Sequence, residues 1–288
     1  MNEQELLIPG IKLFKKKQVV VENTKINYAE AGTREKTIIL IHGWTNDWTG
    51  MIPIGKNLID SYRVILMDLP GFGESDKLEK YSMEILAKKL NSFIEVLNLK
   101  DFYIIGHSMG TCVESAFYNL YPTAAKKLIF VGAIVESKKD KRLDWVISKL
   151  FKVLVWKEIG RKIVKKIIER RLYAYFTAKF FNMYKFNKEL IDQYGLLGKI
   201  RLSKEAYADM GKEIMKSENW KLLRKNKIPM LFIYGKYDKV TKENRAKRCL
   251  KDNGKYNFAT IDCAGHCVTI EKPEEVVKEI KKFIENNG

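Results

Sequence analysis

Phe102-Tyr103-Ile104-Ile105-Gly106-His107-Ser108-Met109-Gly110 is the stretch on which the reading of this chain turns. Four apolar residues of strand character run into Gly-His-Ser-Met-Gly, which fits G-x-S-x-G. A short helical pattern follows from Cys112 to Leu120, and Pro122 stops it. A serine at such a strand-to-helix turn stands exposed at the carboxyl end of a sheet. Flanking glycines let the backbone come close without a Cβ clash. The helix N-terminus supplies N–H groups and a positive partial charge where an oxyanion would form. The five-residue pattern alone occurs by chance, as an ordinary turn. The strand before it and the helix after it make Ser108 a candidate nucleophile.

Outward from this turn, strands alternate with helices. Gln18–Val21 and Lys25–Tyr28 start a sheet, with Asn23-Thr24 as the turn between them. Thr37–Ile41, Arg63–Met67 and Leu128–Val131 are continuous aliphatic runs, as expected of strands covered on both faces. Met83–Leu97 repeats its apolar residues with a helical period. The alternation stops after residue 136. It resumes with a strand at Met230–Tyr234, a helix near Lys242–Leu250, a strand at Phe258–Ile261 and a last helix from Pro273. Pro273 with Glu274 and Glu275 suits a helix start. The pattern predicts an α/β protein with a mostly parallel central sheet flanked by helices. Residues 1–136 and 228–288 form the core, and 137–227 a helical insertion placed as a lid over an active site.

The composition agrees. With 46% hydrophobic and 31% charged residues among 288, the chain can bury a large core and is not of disordered type. No 18-residue apolar run is free of charge, and the N-terminus does not read as a secretory signal, so a cytoplasmic protein is expected. Cys112, Cys249, Cys263 and Cys267 show no CxxC spacing and read as reduced thiols. Cys263 and Cys267, which flank His266, read as buried thiols, and Cys112 as packing. No metal or cofactor is called for.

The base follows by elimination among three histidines. His107 is adjacent to Ser108 and points away from it. His42 closes the strand Thr37–Ile41. His266, in a loop after the last strand, is free to meet the serine. The acid falls between serine and histidine in chain order. Asp238, in Gly235-Lys236-Tyr237-Asp238 after the strand Met230–Tyr234, holds that place, to fix the imidazole tautomer. Glu136 is the rival, and Asp262 lies too near His266 to fold back. Two backbone N–H groups would receive an oxyanion, those of Met109 and Trp44. Trp44 also reads as a packed aromatic.

His42-Gly43, Asp68-Leu69-Pro70-Gly71-Phe72-Gly73-Glu74-Ser75, Gly106-His107-Ser108-Met109-Gly110, Gly235-x-x-Asp238 and Gly265-His266 occur in this order. The set resembles the α/β-hydrolase superfamily over roughly residues 25–136 and 228–288. Within it, the chain is similar to lidded serine hydrolases, namely carboxylesterases, monoacylglycerol-lipase-like enzymes and carbon–carbon-bond hydrolases. The resemblance implies the triad Ser108, Asp238, His266 and the two oxyanion donors already named, and says little about substrate. Serine at 108 disfavours the branches with an aspartate nucleophile.

The expectation is therefore a hydrolase of carboxylic esters, medium-chain or monoacylglycerol-like, by an acyl-enzyme route. A carbon–carbon hydrolase and a ligand receptor that keeps the triad are the alternatives. The net charge of +18 sits in one segment: residues 137–227 carry 25 basic and 10 acidic side chains, a balance of +15, against zero for 1–136 and +3 for 228–288. Its apolar residues, such as Trp145, Phe151, Ile163 and Ile167, fall at helical spacing among lysines. A lid lining a hydrophobic pocket accounts for this, and so does peripheral contact with an anionic membrane. Nucleic acid is not an expected partner. The oligomeric state is not legible.

Overall fold

Eight strands build one sheet: β1 (Lys15–Val21), β2 (Thr24–Ala31), β3 (Thr37–Ile41), β4 (Arg63–Met67), β5 (Phe102–His107), β6 (Leu128–Val131), β7 (Met230–Gly235) and β8 (Tyr256–Ile261). Their spatial order is β1-β2-β4-β3-β5-β6-β7-β8. The pairs β1–β2 and β2–β4 are antiparallel, and the six strands from β4 to β8 pair with one another in parallel. The computed structural model describes residues 8–135, 155, 157–216, 220–224, 228–250 and 256–286.

The central strands are buried along their whole length because helices cover both faces. On one face α1 (Met83–Val96) and α2 (Met109–Leu120) pack with Leu86, Leu90, Phe93, Val113 and Phe117 inward. Ser82 caps α1 by accepting the Ile85 N–H. On the other face lie α9 (Pro273–Glu285) and the helical turns at Trp48–Gly55. The helix α8 (Glu243–Leu250) joins β7 to β8.

Several strands extend a few residues beyond the sequence reading, as β1 from Lys15 and β8 from Tyr256, and two differences bear on turns. The β1–β2 turn is Glu22-Asn23, not Asn23-Thr24: Val21 pairs with Thr24, and both turn residues have positive φ, 46° and 60°. A two-residue hairpin turn of this twist demands positive φ at both positions, and Asn tolerates it. Helix α2 begins at Met109, because it starts directly at the bend of Ser108.

The parallel register sets the site. Ile41 of β3 lies opposite Gly106 of β5, which lies opposite Phe130 of β6, and Val131 lies opposite Ile233 of β7. The loops after these strands therefore leave the sheet along one carboxyl edge. Between β6 and β7, which are direct neighbours, the chain makes a helical excursion: α3 (Glu158–Ile168), α4 (Arg171–Thr177) running into a π turn at Ala178–Asn182, α5 (Lys188–Tyr194), α6 (Leu197–Arg201) and α7 (Lys204–Lys216). Among its described residues there is no strand. Glu136, Trp145 and Phe151 lie outside the described residues.

Candidate active site

Ser108 stands at the strained bend between β5 and α2, with φ 51° and ψ −114°. A non-glycine residue held there costs on the order of 1–3 kcal/mol, so its surroundings must enforce it. They do. The Ser108 N–H donates to the Val131 carbonyl at 2.9 Å, and the Ser108 carbonyl accepts the Thr111 N–H at 3.0 Å and its hydroxyl at 2.5 Å. The two motif glycines are required by contact. A Cβ on Gly110 would lie 2.5 Å from the Ile41 carbonyl oxygen, and one on Gly106 would lie 2.7 Å from the Gly110 backbone. Buried Glu114 braces the bend by accepting the N–H groups of Gly106 and Ile129, at 3.1 and 3.0 Å. Burial holds its carboxyl well above the usual range.

Three residues far apart in sequence meet here. Ser108 Oγ lies 2.8 Å from His266 Nε2, and His266 Nδ1 lies 2.9 Å from Asp238 Oδ2. Asp238 Oδ1 accepts the N–H groups of Val240 and Thr241 at 2.7 and 2.8 Å, and Oδ2 accepts the Thr241 hydroxyl at 2.6 Å. Burial alone would raise its pKa. The charge and hydrogen bond of His266 and the Thr241 donors outweigh that and hold the carboxyl below its ordinary value. Asp238 is thus a carboxylate at neutral pH, its oxygens all used as acceptors.

The other two histidines serve the frame. His107 is buried, and its Nε2 donates to the His266 carbonyl at 3.0 Å. Burial, reinforced by nearby His266, pushes its pKa down to about 4, so it is neutral. His42 Nε2 accepts the Leu69 N–H at 3.2 Å, which leaves Nδ1 to donate to the Gly43 carbonyl at 2.9 Å. Asp262 faces solvent, paired with Lys236 at 3.2 Å. One expectation fails in this loop: Cys263 is exposed rather than buried. It sits in the turn after β8 with φ 51°, a bend that turns its side chain outward. Cys267 is partly covered, and burial pushes its thiol up to about 12. Cys112 is buried in α2.

The loop after β3 passes beside the serine: a Cβ on Gly43 would come 3.2 Å from Ser108 Cβ. The next residue, Trp44, is gripped by the helical excursion. Its ring stacks on Tyr207 of α7 at 4.6 Å, and its indole N–H donates to the Tyr207 carbonyl at 3.2 Å. Lys199 of α6 donates to Thr45 Oγ1 at 3.2 Å and to the Gly195 carbonyl at 3.1 Å. Arg201 bridges Asp47 and Glu74, both at 3.4 Å. On the far side, Glu271 accepts the N–H groups of Gly265 and Tyr184, tying the His266 loop to the same excursion. Sequence reasoning missed Tyr207, Lys199, Arg201 and Glu271, which belong to no motif. Thr241 carried a signal, since Asp-x-x-Thr is a local turn in which the carboxylate caps its own loop.

The chain belongs to the alpha/beta hydrolase fold family, whose model matches residues 36–273. A putative esterase/lipase of Haemophilus influenzae is 26% identical over 250 residues, 87% of this chain and 83% of that protein. A 2-hydroxy-6-oxononadienedioate/2-hydroxy-6-oxononatrienedioate hydrolase of Escherichia coli is 31% identical over 114 residues, only 38% of this chain and 40% of its own length. Among solved structures, a thermophilic esterase from Thermogutta terrifontis superimposes with a TM-score of 0.74 at 20% identity, covering 94% of this chain and 98% of the other. A bromoperoxidase from Bacillus anthracis reaches 0.79 at 23%, covering 94% and 100%. At such identities these two speak for the fold alone.

Proposed function

We propose that this protein hydrolyses carboxylic esters through an acyl-enzyme on Ser108. The observation that carries the reading is the unbroken chain from Ser108 Oγ through His266 to Asp238, at 2.8 and 2.9 Å. The Asp238 carboxylate holds the proton of His266 on Nδ1. Nε2 is then bare and faces the serine hydroxyl. Ser108 Oγ attacks the ester carbonyl as His266 takes its proton. The N–H groups of Met109 and Trp44 receive the oxyanion, and losing one such donor costs about 10²–10³ in rate. His266 then protonates the departing alcohol. It next deprotonates a water, which attacks the acyl carbonyl, and it returns that proton to Ser108 Oγ as the acyl–oxygen bond breaks and the acid leaves.

The Haemophilus relative, named for esterase/lipase activity and aligned over most of both chains, supports this class. The apolar residues within segment 137–227, read as a lid, favour a medium acyl chain or a monoacylglycerol-like substrate. A second reading, cleavage of a carbon–carbon bond next to a carbonyl, draws on the Escherichia coli relative.

The test is hydrolysis of p-nitrophenyl esters from acetate to palmitate by wild type and Ser108→Ala, with fluorophosphonate labelling read by mass spectrometry. Turnover and labelling in wild type, both lost in Ser108→Ala, are expected. Equal turnover by both proteins would refute the mechanism. Labelling of Ser108 without turnover of any ester would favour the second reading, to be checked on a β-diketone-like substrate.

A further inference from the structure

The helical excursion turns an apolar face to solvent. On α3, Ile159, Ile163 and Ile167 recur every fourth residue and so share one side of the helix. Ile168 and Val164 face inward, the first buried and the second packed against the core. The outward stripe continues through Leu172 and Phe176 of α4 to Phe180 and Phe181 of the π turn. Exposure along it runs from 47% at Ile167 to 79% at Leu172. Ile163, Ile167, Leu172 and Tyr173, with Lys166 and Arg170, line a shallow depression of about 440 Å³. Single exposed apolar residues are ordinary on a protein surface, but a contiguous run this long calls for an occupant.

The run is interleaved with exposed cations: Lys162, Lys166, Arg170, Arg171 and Lys179. We propose that this face docks on the surface of an anionic lipid bilayer. Isoleucine, leucine and phenylalanine side chains would enter the acyl boundary, while the long lysine and arginine stems reach back to phosphate. The +15 balance of residues 137–227 supplies the matching charge.

The face borders the site. The π turn that bears Phe180 and Phe181 ends at Asn182, whose carbonyl accepts the N–H of Cys267, next to His266. Lys239, next to Asp238, donates to the Phe180 carbonyl at 3.3 Å, and Tyr184 stacks on Tyr237 at 4.2 Å. Docking would therefore set the loops that carry His266 and Asp238 at the membrane.

The experiment is co-sedimentation of the full chain with vesicles of phosphatidylcholine and phosphatidylglycerol, and with pure phosphatidylcholine, at low and high salt. Wild type is expected to bind the anionic vesicles and to release at high salt. A basic residue near such a surface is worth about fivefold in partition, so Lys162→Gln/Lys166→Gln should bind about 30-fold less. Phe180→Ser/Phe181→Ser should lose binding while hydrolysing p-nitrophenyl acetate at the wild-type rate. The lysine pair, being superficial, decides the matter if the phenylalanine variant does not fold. Wild type staying in the supernatant with both vesicle types would overturn the proposal, as would equal binding by every variant that folds. A wild-type dimer that Phe180→Ser/Phe181→Ser dissociates, with no vesicle binding, would assign the face to a second copy instead.

Discussion

Replacing Asp238 by asparagine keeps the shape of the side chain but removes its negative charge and turns one acceptor oxygen into an NH₂ donor. The Val240 and Thr241 N–H groups, at 2.7 and 2.8 Å, both point at Oδ1, so the amide oxygen of Asn must take that position. The NH₂ then replaces Oδ2, facing His266 Nδ1 where the carboxylate stood at 2.9 Å. Thr241 can turn its hydroxyl to accept. A donor set against Nδ1 selects the imidazole tautomer with its proton on Nε2. That proton faces Ser108 Oγ, so the base can no longer accept from the serine. An inverted tautomer of this kind costs about 10⁴ in kcat, or about 5 kcal/mol of transition-state stabilisation at 1.36 kcal/mol per decade. Binding contacts are untouched, so KM for p-nitrophenyl butyrate should stay within about twofold, because only transition-state stabilisation is lost. Steady-state kinetics on Asp238→Asn, with urea unfolding to show that it is folded, provides the check. A folded variant that keeps kcat within tenfold of wild type would refute the reasoning and move the acid elsewhere, with Glu136 the first place to look.

Two further perturbations test the frame around Ser108, His266 and Asp238. His107 is neutral in the fold with a pKa near 4, against 6.5 when exposed, so the unfolded chain takes up its proton first as pH falls. Stability should drop between pH 6.5 and 4 by up to about 3 kcal/mol; His107→Gln, whose amide can still donate to the His266 carbonyl, should remove that slope in urea melts at the two pH values, and an unchanged slope would assign it to other groups. Tyr207→Ala takes the stacked ring off Trp44 and should lower kcat about tenfold or more with little change in KM, because the role proposed for the Trp44 N–H is exercised on the oxyanion of the transition state and not in the ground state; Tyr207→Phe, which keeps the ring, should retain wild-type kcat, and equal rates in all three proteins would show that the stack does not position the loop.

What the sequence determined alone was what local pattern encodes. Aliphatic runs bounded by turns marked the central strands, because a strand covered on both faces needs apolar side chains at every position. Gly106 and Gly110 marked the bend at Ser108, because a Cβ there meets backbone and no other residue fits. Elimination among three histidines pointed to His266 only because they are so few. Tertiary structure decided the rest. Ser108 and His266 are 158 residues apart and meet through the parallel register of β5 to β8, which brings their loops to one edge. The grip of Tyr207, Lys199 and Arg201 on the loop after β3 and the outward turn of Cys263 follow no repeat in the chain, and the periodic stripe from Ile159 to Phe181 does not itself say that it faces solvent. Each rests on long-range contacts, or on the lack of cover over a side chain. Such features depend on where a helix comes to rest against the core, whereas periodicity records only which of its faces is apolar.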